Sequence, residues 1–262
     1  MGAGLKNIAI KVFPKLLYFF IFLCLWHAVV VIFGFKVFIL PSPIRVFQHI
    51  FDPRLAAKYN WFRHIGATLT EIGLSFAATV IFGVGLAILI AWSRVLSQIL
   101  MPIITMFNSL PKVALAPVFL LWFGYGLVPN IMVAILVAFF PLVINAVTGL
   151  KAVDDDLLDL VRYLNASKLQ MFIKIRIPNS MPYVFAGMKI SVTMCVVGSI
   201  VGEFIASKKG LGYLIRDAQA FIDTPTMFAC LILLSVMGYL FFSFIRILEN
   251  ICISWNTKKD NV

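Results

Sequence analysis

The sequence predicts an all-α polytopic membrane protein with about six transmembrane helices, and three observations predict it. Mean hydropathy is +1.01. Hydrophobic residues make up 62% of the chain and charged residues only 13%, where a soluble domain carries about 25% charge. The third is the patterning. Apolar runs with little charge cover roughly 16–35, 65–92, 100–123, 128–150, 183–205 and 227–248. Each is near or above the roughly 20 residues that a helix needs to cross about 30 Å of hydrocarbon. Together they fill most of the 262 residues, so 1–262 reads as a single transmembrane domain with no room for a second soluble one.

The first run is longer than the h-region of a secretory signal, and no small-x-small cleavage site follows it, so a retained helix is expected. The loop from Lys36 to His64 then opens Leu40-Pro-Ser-Pro43 and turns amphipathic. Ile44, Val46, Phe47 and Ile50 alternate there with Arg45, Gln48 and His49, which suits a short helix on the membrane interface. A tight turn at Ser93–Gln98 joins the second and third runs. Gly124, Gly126 and Pro129 make the next turn.

The loop 151–182 is different, because it carries helix signals of its own. Asp154, Asp155 and Asp156 stand where carboxylates cap free N–H groups and favour the positive end of a helix. Leu157, Leu158, Leu160, Val161 and Leu164 follow at helical spacing and form one apolar stripe. Asn165 tolerates the left-handed position after a helix. Ser167 then caps a second segment, which is expected to stop at Pro178. Two short helices, apolar on one side, are too small to fold alone. They must pack either on the ends of the bundle or on a partner.

A formal charge of +11 does not make the chain a nucleic-acid binder, since its basic residues sit in the gaps between apolar runs and form no face. Counting spans puts thirteen Lys and Arg on the side of both termini and of loop 151–182, the last of them Lys258 and Lys259. Eight fall on the opposite side, and Lys112 lies mid-span. The positive-inside bias therefore places both termini and that loop in the cytoplasm. The four cysteines are isolated and the three histidines lie far apart, so neither a disulfide framework nor a metal site is indicated. No catalytic constellation is found.

Ionisable groups inside the hydrocarbon usually face a bundle interior or a water-filled path. Lys112, beside Pro111, is either a cationic contact for a solute or a structural lysine bonded to carbonyls freed at the proline. Glu71 and Glu203 either line an outer gate, pair with Lys112 or Arg63, or make ordinary interhelical hydrogen bonds. Asn108 and Asn145 are polar residues of the same kind.

Loop 151–182 resembles the EAA motif of importer permeases, in which Glu-Ala-Ala, three residues, Gly, nine residues and Ile-x-Leu-Pro follow one another. The matching positions here are Asp159, Leu160, Val161, Asn165, Ile175, Ile177 and Pro178, with Ala166 and Ser167 at the turn. Asp159 keeps the carboxylate with one methylene fewer, Leu160 and Val161 are bulkier than the two alanines, and Asn165 stands in for glycine. Leu40–Pro43, His64–Thr70, Leu110–Gly124, Phe139–Pro141 and Lys208–Leu214 are similar to the nitrate, sulfonate and taurine branch of that superfamily. The same branch includes permeases for pyrimidine precursors of thiamine and for riboflavin. The resemblance runs from about Lys36 to Trp255.

It implies the six-helix permease fold of a type I ATP-binding-cassette importer in a bacterial inner membrane, with loop 154–178 as a coupling helix seated in a cytoplasmic ATPase. The implied partners are an ATPase dimer, a second permease copy, an external substrate-binding protein and the lipid bilayer. No nucleic acid, cofactor or metal is implied. The sequence holds no GxxxxGK[ST] loop to cradle phosphates, so ATP hydrolysis is expected in a partner and not in this chain. The competing reading is a self-sufficient secondary transporter or channel, but the inverted repeat and paired broken helices frequent in such proteins are not evident.

Overall fold

The computed structural model describes residues 2–253, with side chains described at Pro14 and from Leu17 onward. Lys258, Lys259, Trp255 and the C-terminus therefore lie outside the described residues, as do the side chains of Lys6, Lys11 and Lys15. Among the described residues all regular structure is helical. The chain divides into two compact units, Met1–Trp61 with Leu214–Ile232, and Phe62–Tyr213 with Leu233–Val262.

The first unit holds α1 (Gly2–Ile32), α2 (Pro43–Phe51) and α3 (Pro53–Tyr59), most of α11 (Leu211–Ala220) and the first turns of α12 (Thr224–Cys252). α2 is the amphipathic helix expected from the first loop. Val46 is fully buried while Ile44 and Phe51 are exposed. Asp52 ends α2 and caps α3 by accepting the Arg54 N–H at 2.8 Å. Polar bonds tie distant stretches together: the Thr224 hydroxyl donates to the Phe38 carbonyl at 2.7 Å, and the Tyr59 hydroxyl donates to Asp223 at 2.5 Å.

The second unit holds α4 (Trp61–Trp92) from Phe62 onward, α5 (Arg94–Asn108), a 3₁₀ turn (Lys112–Leu115), α6 (Ala116–Phe123) and α7 (Leu127–Lys151). It also holds α8 (Asp155–Tyr163), α9 (Lys168–Met171), a π turn (Phe172–Arg176) and α10 (Ile177–Ala206), with the rest of α12. α7 and α10 form its centre. A Cβ on Gly198 would come within 2.5 Å of the Ala134 Cα, and one on Gly202 within 2.6 Å of the Asn130 Cα, so only glycine permits this backbone approach. Buried Ser191 donates across the seam to the Ala138 carbonyl at 2.9 Å. Ile90 of α4, Ile104 of α5, Val143 and Val147 of α7, and Phe172 complete one core, while Phe185 and Val192 of α10 pack with Ile245 of α12 in another.

Four helical stretches are long and apolar enough to cross a membrane: Trp61–Trp92, Leu127–Lys151, Lys168–Ala206 and Thr224–Cys252. The pair Arg94–Asn108 and Lys112–Phe123 is apolar enough only when taken together, and it is bent by 83° at the break between them. The first expected span corresponds to α1, whose described apolar part runs Leu17–Ile32. The count of six is thus approximate. Two expectations are corrected. The run 100–123 is broken, because Pro111 offers no N–H to continue the ladder and restricts the residue before it. Nor does Pro178 stop the second loop helix. It sits in the first turn of α10, where a missing N–H costs nothing. The wide turn Phe172–Arg176 leads straight into that helix, making Lys168–Ala206 one path of 39 residues.

Candidate functional site

The 154–178 element is built by local rules. Asp154 accepts the Asp156 N–H at 3.0 Å and caps α8. Asn165 takes φ 57°, and its N–H donates to the Arg162 carbonyl at 2.9 Å while that of Ala166 reaches the Val161 carbonyl at 3.2 Å. This pair of bonds is a Schellman motif, which satisfies the last carbonyls of the helix. Ser167 and Gln170 then form a reciprocal capping box at 3.2 and 2.8 Å. The turn between the two helices is therefore rigid.

The expected apolar stripe of α8 divides in two. Leu158 is buried, while Leu157, Leu160 and Leu164 are exposed, and Tyr163 beside them is 86% exposed. Advancing about 100° per residue, the exposed leucines cluster on the face opposite Leu158. The bundle side is fastened: Phe172 packs edge-to-face on Trp92 at 5.2 Å, Lys168 lies over the Trp92 ring at 4.6 Å, and Ile177 packs against the first core. Asp159, Leu160, Asn165 and Ser167 are exposed, whereas Val161, Ala166, Ile175, Ile177 and Pro178 are half-buried. Asp159 faces its own Arg162 at 2.6 Å. Exposed pairs of this kind are worth about 0–1 kcal/mol and do not lock the carboxylate in place.

The polar residues inside the spans fall into separate groups. At the break after α5, the Lys112 ammonium donates to the Asn108 carbonyl at 2.9 Å and to its side-chain oxygen at 2.8 Å. It also lies 5.4 Å above the Phe140 ring, which stacks on Phe107. Lys112 and Asn108 are thus brought together, with the lysine satisfying a carbonyl left over at the helix end. Asn145 instead donates to the Pro141 carbonyl of its own helix at 2.8 Å.

Glu71 and Glu203 pair with neither Lys112 nor Arg63. Both are fully buried and lie close enough to interact with each other. Glu203 accepts from the Thr68 hydroxyl at 2.5 Å and from the Gly212 N–H at 2.5 Å. Glu71 accepts from the Asn130 amide at 2.8 Å. Thr68 in turn accepts the Leu211 N–H at 2.9 Å, and His64 Nδ1 lies 3.0 Å from both the backbone nitrogen and oxygen of Gly210. Gly210 adopts φ +111°, and a Cβ there would collide with the Glu203 carboxyl. The stretches His64–Thr70 and Lys208–Leu214 are therefore two halves of one latch closed on Glu203. Sequence reasoning singled out both stretches but not their meeting, nor Asn130.

The family model described as binding-protein-dependent transport system inner membrane component matches residues 79–250. The chain is 32% identical to the formylaminopyrimidine transport permease protein of Halalkalibacterium halodurans, over 93% of this chain and 96% of that protein. It is also 32% identical to the riboflavin transport system permease protein of Chloroflexus aurantiacus, over 89% of this chain and 86% of that one. The taurine transport system permease protein of Escherichia coli is 26% identical, over 90% and 87%. A solved structure of inward-facing conformations of the MetNI methionine ABC transporter has the same fold. Its TM-score is 0.62 at 19% identity, covering 72% of this chain and 94% of that one.

Proposed function

The chain belongs to the family of binding-protein-dependent transport system inner membrane components, and from that premise we propose that its 154–178 element couples it to a separate ATPase. As the multi-pass transmembrane permease subunit of an ATP-binding-cassette importer, it provides the path and not the hydrolysis. That membership sets aside a self-sufficient transporter or channel. One observation carries the coupling proposal. α8 shows an exposed apolar face of Leu157, Leu160 and Leu164 while Leu158 on its other side is buried, and the segment after it is held on the bundle by Phe172 and Ile177. A rigid knob of this kind converts movement of a docked partner into rotation of α7 and α10, a rigid-body switch of the usual type.

The same proposal places both termini and this element in the cytoplasm, with two permease copies facing an ATPase dimer and a substrate-binding protein on the opposite side. Lys112, Asn108, Asn145, Glu71 and Glu203 would then border the solute route or its outer gate. Relatives at 31–32% identity carry the names of pyrimidine, riboflavin and aliphatic sulfonate permeases, so the cargo proposed is a small solute of one of these classes.

Leu160→Asp tests the coupling. It places a charge on the exposed face without touching the core, so the variant should fold normally but lose ATPase co-purification and uptake together. Wild-type assembly and transport by Leu160→Asp would overturn the proposal.

A further inference from the structure

Beside α8, on the face away from the exposed leucines, lies a cavity of about 640 Å³ lined by Arg94, Arg162, Lys168 and Arg176, with Trp92 and Leu158. An adjoining cavity of about 310 Å³ shares Arg94 and Arg176 and adds Lys151 and Asp155. Five cations and a single carboxylate therefore line the two. Arg162 is partly neutralised by Asp159, and Lys168 rests on the Trp92 ring. Arg94 and Arg176 pair with no carboxylate among the described residues. Positive charge gathered in a concave, partly apolar site repels itself and draws in an anion.

The position narrows the chemistry. The cavities sit where α4 and α7 end and α10 is about to begin, at the edge of the apolar spans. Trp92 is 38% exposed there, and next to Arg94 the side chains of Val95 and Leu96 are exposed as well. An interfacial tryptophan, bare aliphatic side chains and a basic pocket between spans together suit a phosphate head group with its acyl chains alongside. Guanidinium groups match phosphate oxygens by paired N–H donors, and two arginines shared by two cavities suit two phosphates close together. On α8, Asp155, Leu158 and Arg162 face this site while Leu157, Leu160 and Leu164 face the other way, so ligand and docking partner need not compete.

We propose that the cavities lined by Arg94, Arg162, Lys168 and Arg176 form a phosphate-binding site, whose ligand is an anionic phospholipid head group or a soluble phosphate. The site does not depend on α8 meeting an ATPase.

The test uses the full-length protein, purified in detergent and stripped of lipid. Native mass spectrometry follows retention of added cardiolipin, phosphatidylglycerol or phosphatidylcholine, and thermal unfolding is measured in parallel with inorganic phosphate, pyrophosphate or chloride. Retention of cardiolipin over phosphatidylcholine supports the site with a lipid as its source. Stabilisation by pyrophosphate over chloride, without lipid retention, supports the site with a soluble source. At about fivefold per cation, the double variant Arg94→Gln/Arg176→Gln should bind about 25-fold more weakly. The charge-preserving pair Arg94→Lys/Arg176→Lys keeps the charge but loses the paired N–H donors, so it should bind between wild type and the Gln variant, and it serves as the folded control. Equal retention of all three lipids together with equal unfolding in all three anions would overturn the proposal. Unchanged binding by the Gln double variant would do so too.

Discussion

Substituting Asn165 tests whether the turn after α8 must be rigid. Its backbone lies at φ 57°, and the two Schellman bonds at 2.9 and 3.2 Å exist only while it stays there. Asparagine tolerates the left-handed region while a β-branched residue there is an outlier, so valine adds about 1–2 kcal/mol of strain relative to asparagine. Asn165→Gly keeps the conformation and should assemble and transport like wild type. Asn165→Val should release the turn, so that α8 and the capped start of α9 no longer hold a fixed angle. A local cost of about 1–2 kcal/mol lowers the population of the docking geometry by about 5–30-fold. Because Leu158, Phe172 and Ile177 remain in place, global thermal stability should change much less than coupling does. The assay is ATPase co-purification and solute uptake for Gly, Ala and Val at 165, with amide exchange of Asn165 and Ala166 as the local probe. Fast exchange in Asn165→Val with normal uptake would refute the need for rigidity. Slow exchange would show that the strain estimate is wrong.

Asp159→Lys removes only an exposed ion pair with Arg162, so melting should be unchanged while ATPase capture falls more than in Asp159→Ala; equal capture by the two variants counts against a cationic partner. Gly210→Ala must both strain a φ of +111° and push Glu203 from its bonds to Thr68 and Gly212, so detergent stability should fall by about 1–3 kcal/mol, and an unshifted melting curve would deny the latch. At Asp223, partial burial pushes the carboxyl pKa up, but hydrogen bonds from Tyr59 and Thr226 and the charge of His49 hold it below its ordinary 3.8. A depressed pKa contributes stability that is present above 3.8 and is lost as pH falls through the lower folded value. Asp223→Asn should therefore flatten the acid limb of the melting temperature below about pH 4, and an acid limb identical to wild type would contradict the assignment. Lys112→Met should lower thermal stability, since Asn108 then loses both bonds; intact stability with impaired uptake would instead make Lys112 a contact for the solute.

Much of the fold was legible because hydrophobic runs and caps are local. The acidic cap at Asp154, the left-handed Asn165 and the Ser167 cap were each readable from a few residues, since the bonds they make span only two to five positions. The departures have local chemistry but non-local outcomes. Pro111 and Pro178 look alike in sequence, yet one lies at a bend of 83° after α5 and the other stands in the first turn of a helix that a π turn leads into. No window of residues contains that difference.

The polar groups show the same limit more sharply. For Glu71 and Glu203 the sequence offered an outer gate, a pairing with Lys112 or Arg63, or an interhelical hydrogen bond, and the structure gives them hydrogen bonds from Asn130, from Thr68 and from a glycine turn. Isolated charge in an apolar run says that a partner is needed, because a bare ion in hydrocarbon costs several kcal/mol. It does not say which partner, since that depends on which helices touch. Lys112 found its partner within its own turn, four residues back, where any chain broken by proline leaves a carbonyl. Such a bond could have been read from Asn108, Pro111 and Lys112 alone. The Glu203 latch could not, because it closes over more than 130 residues of intervening chain.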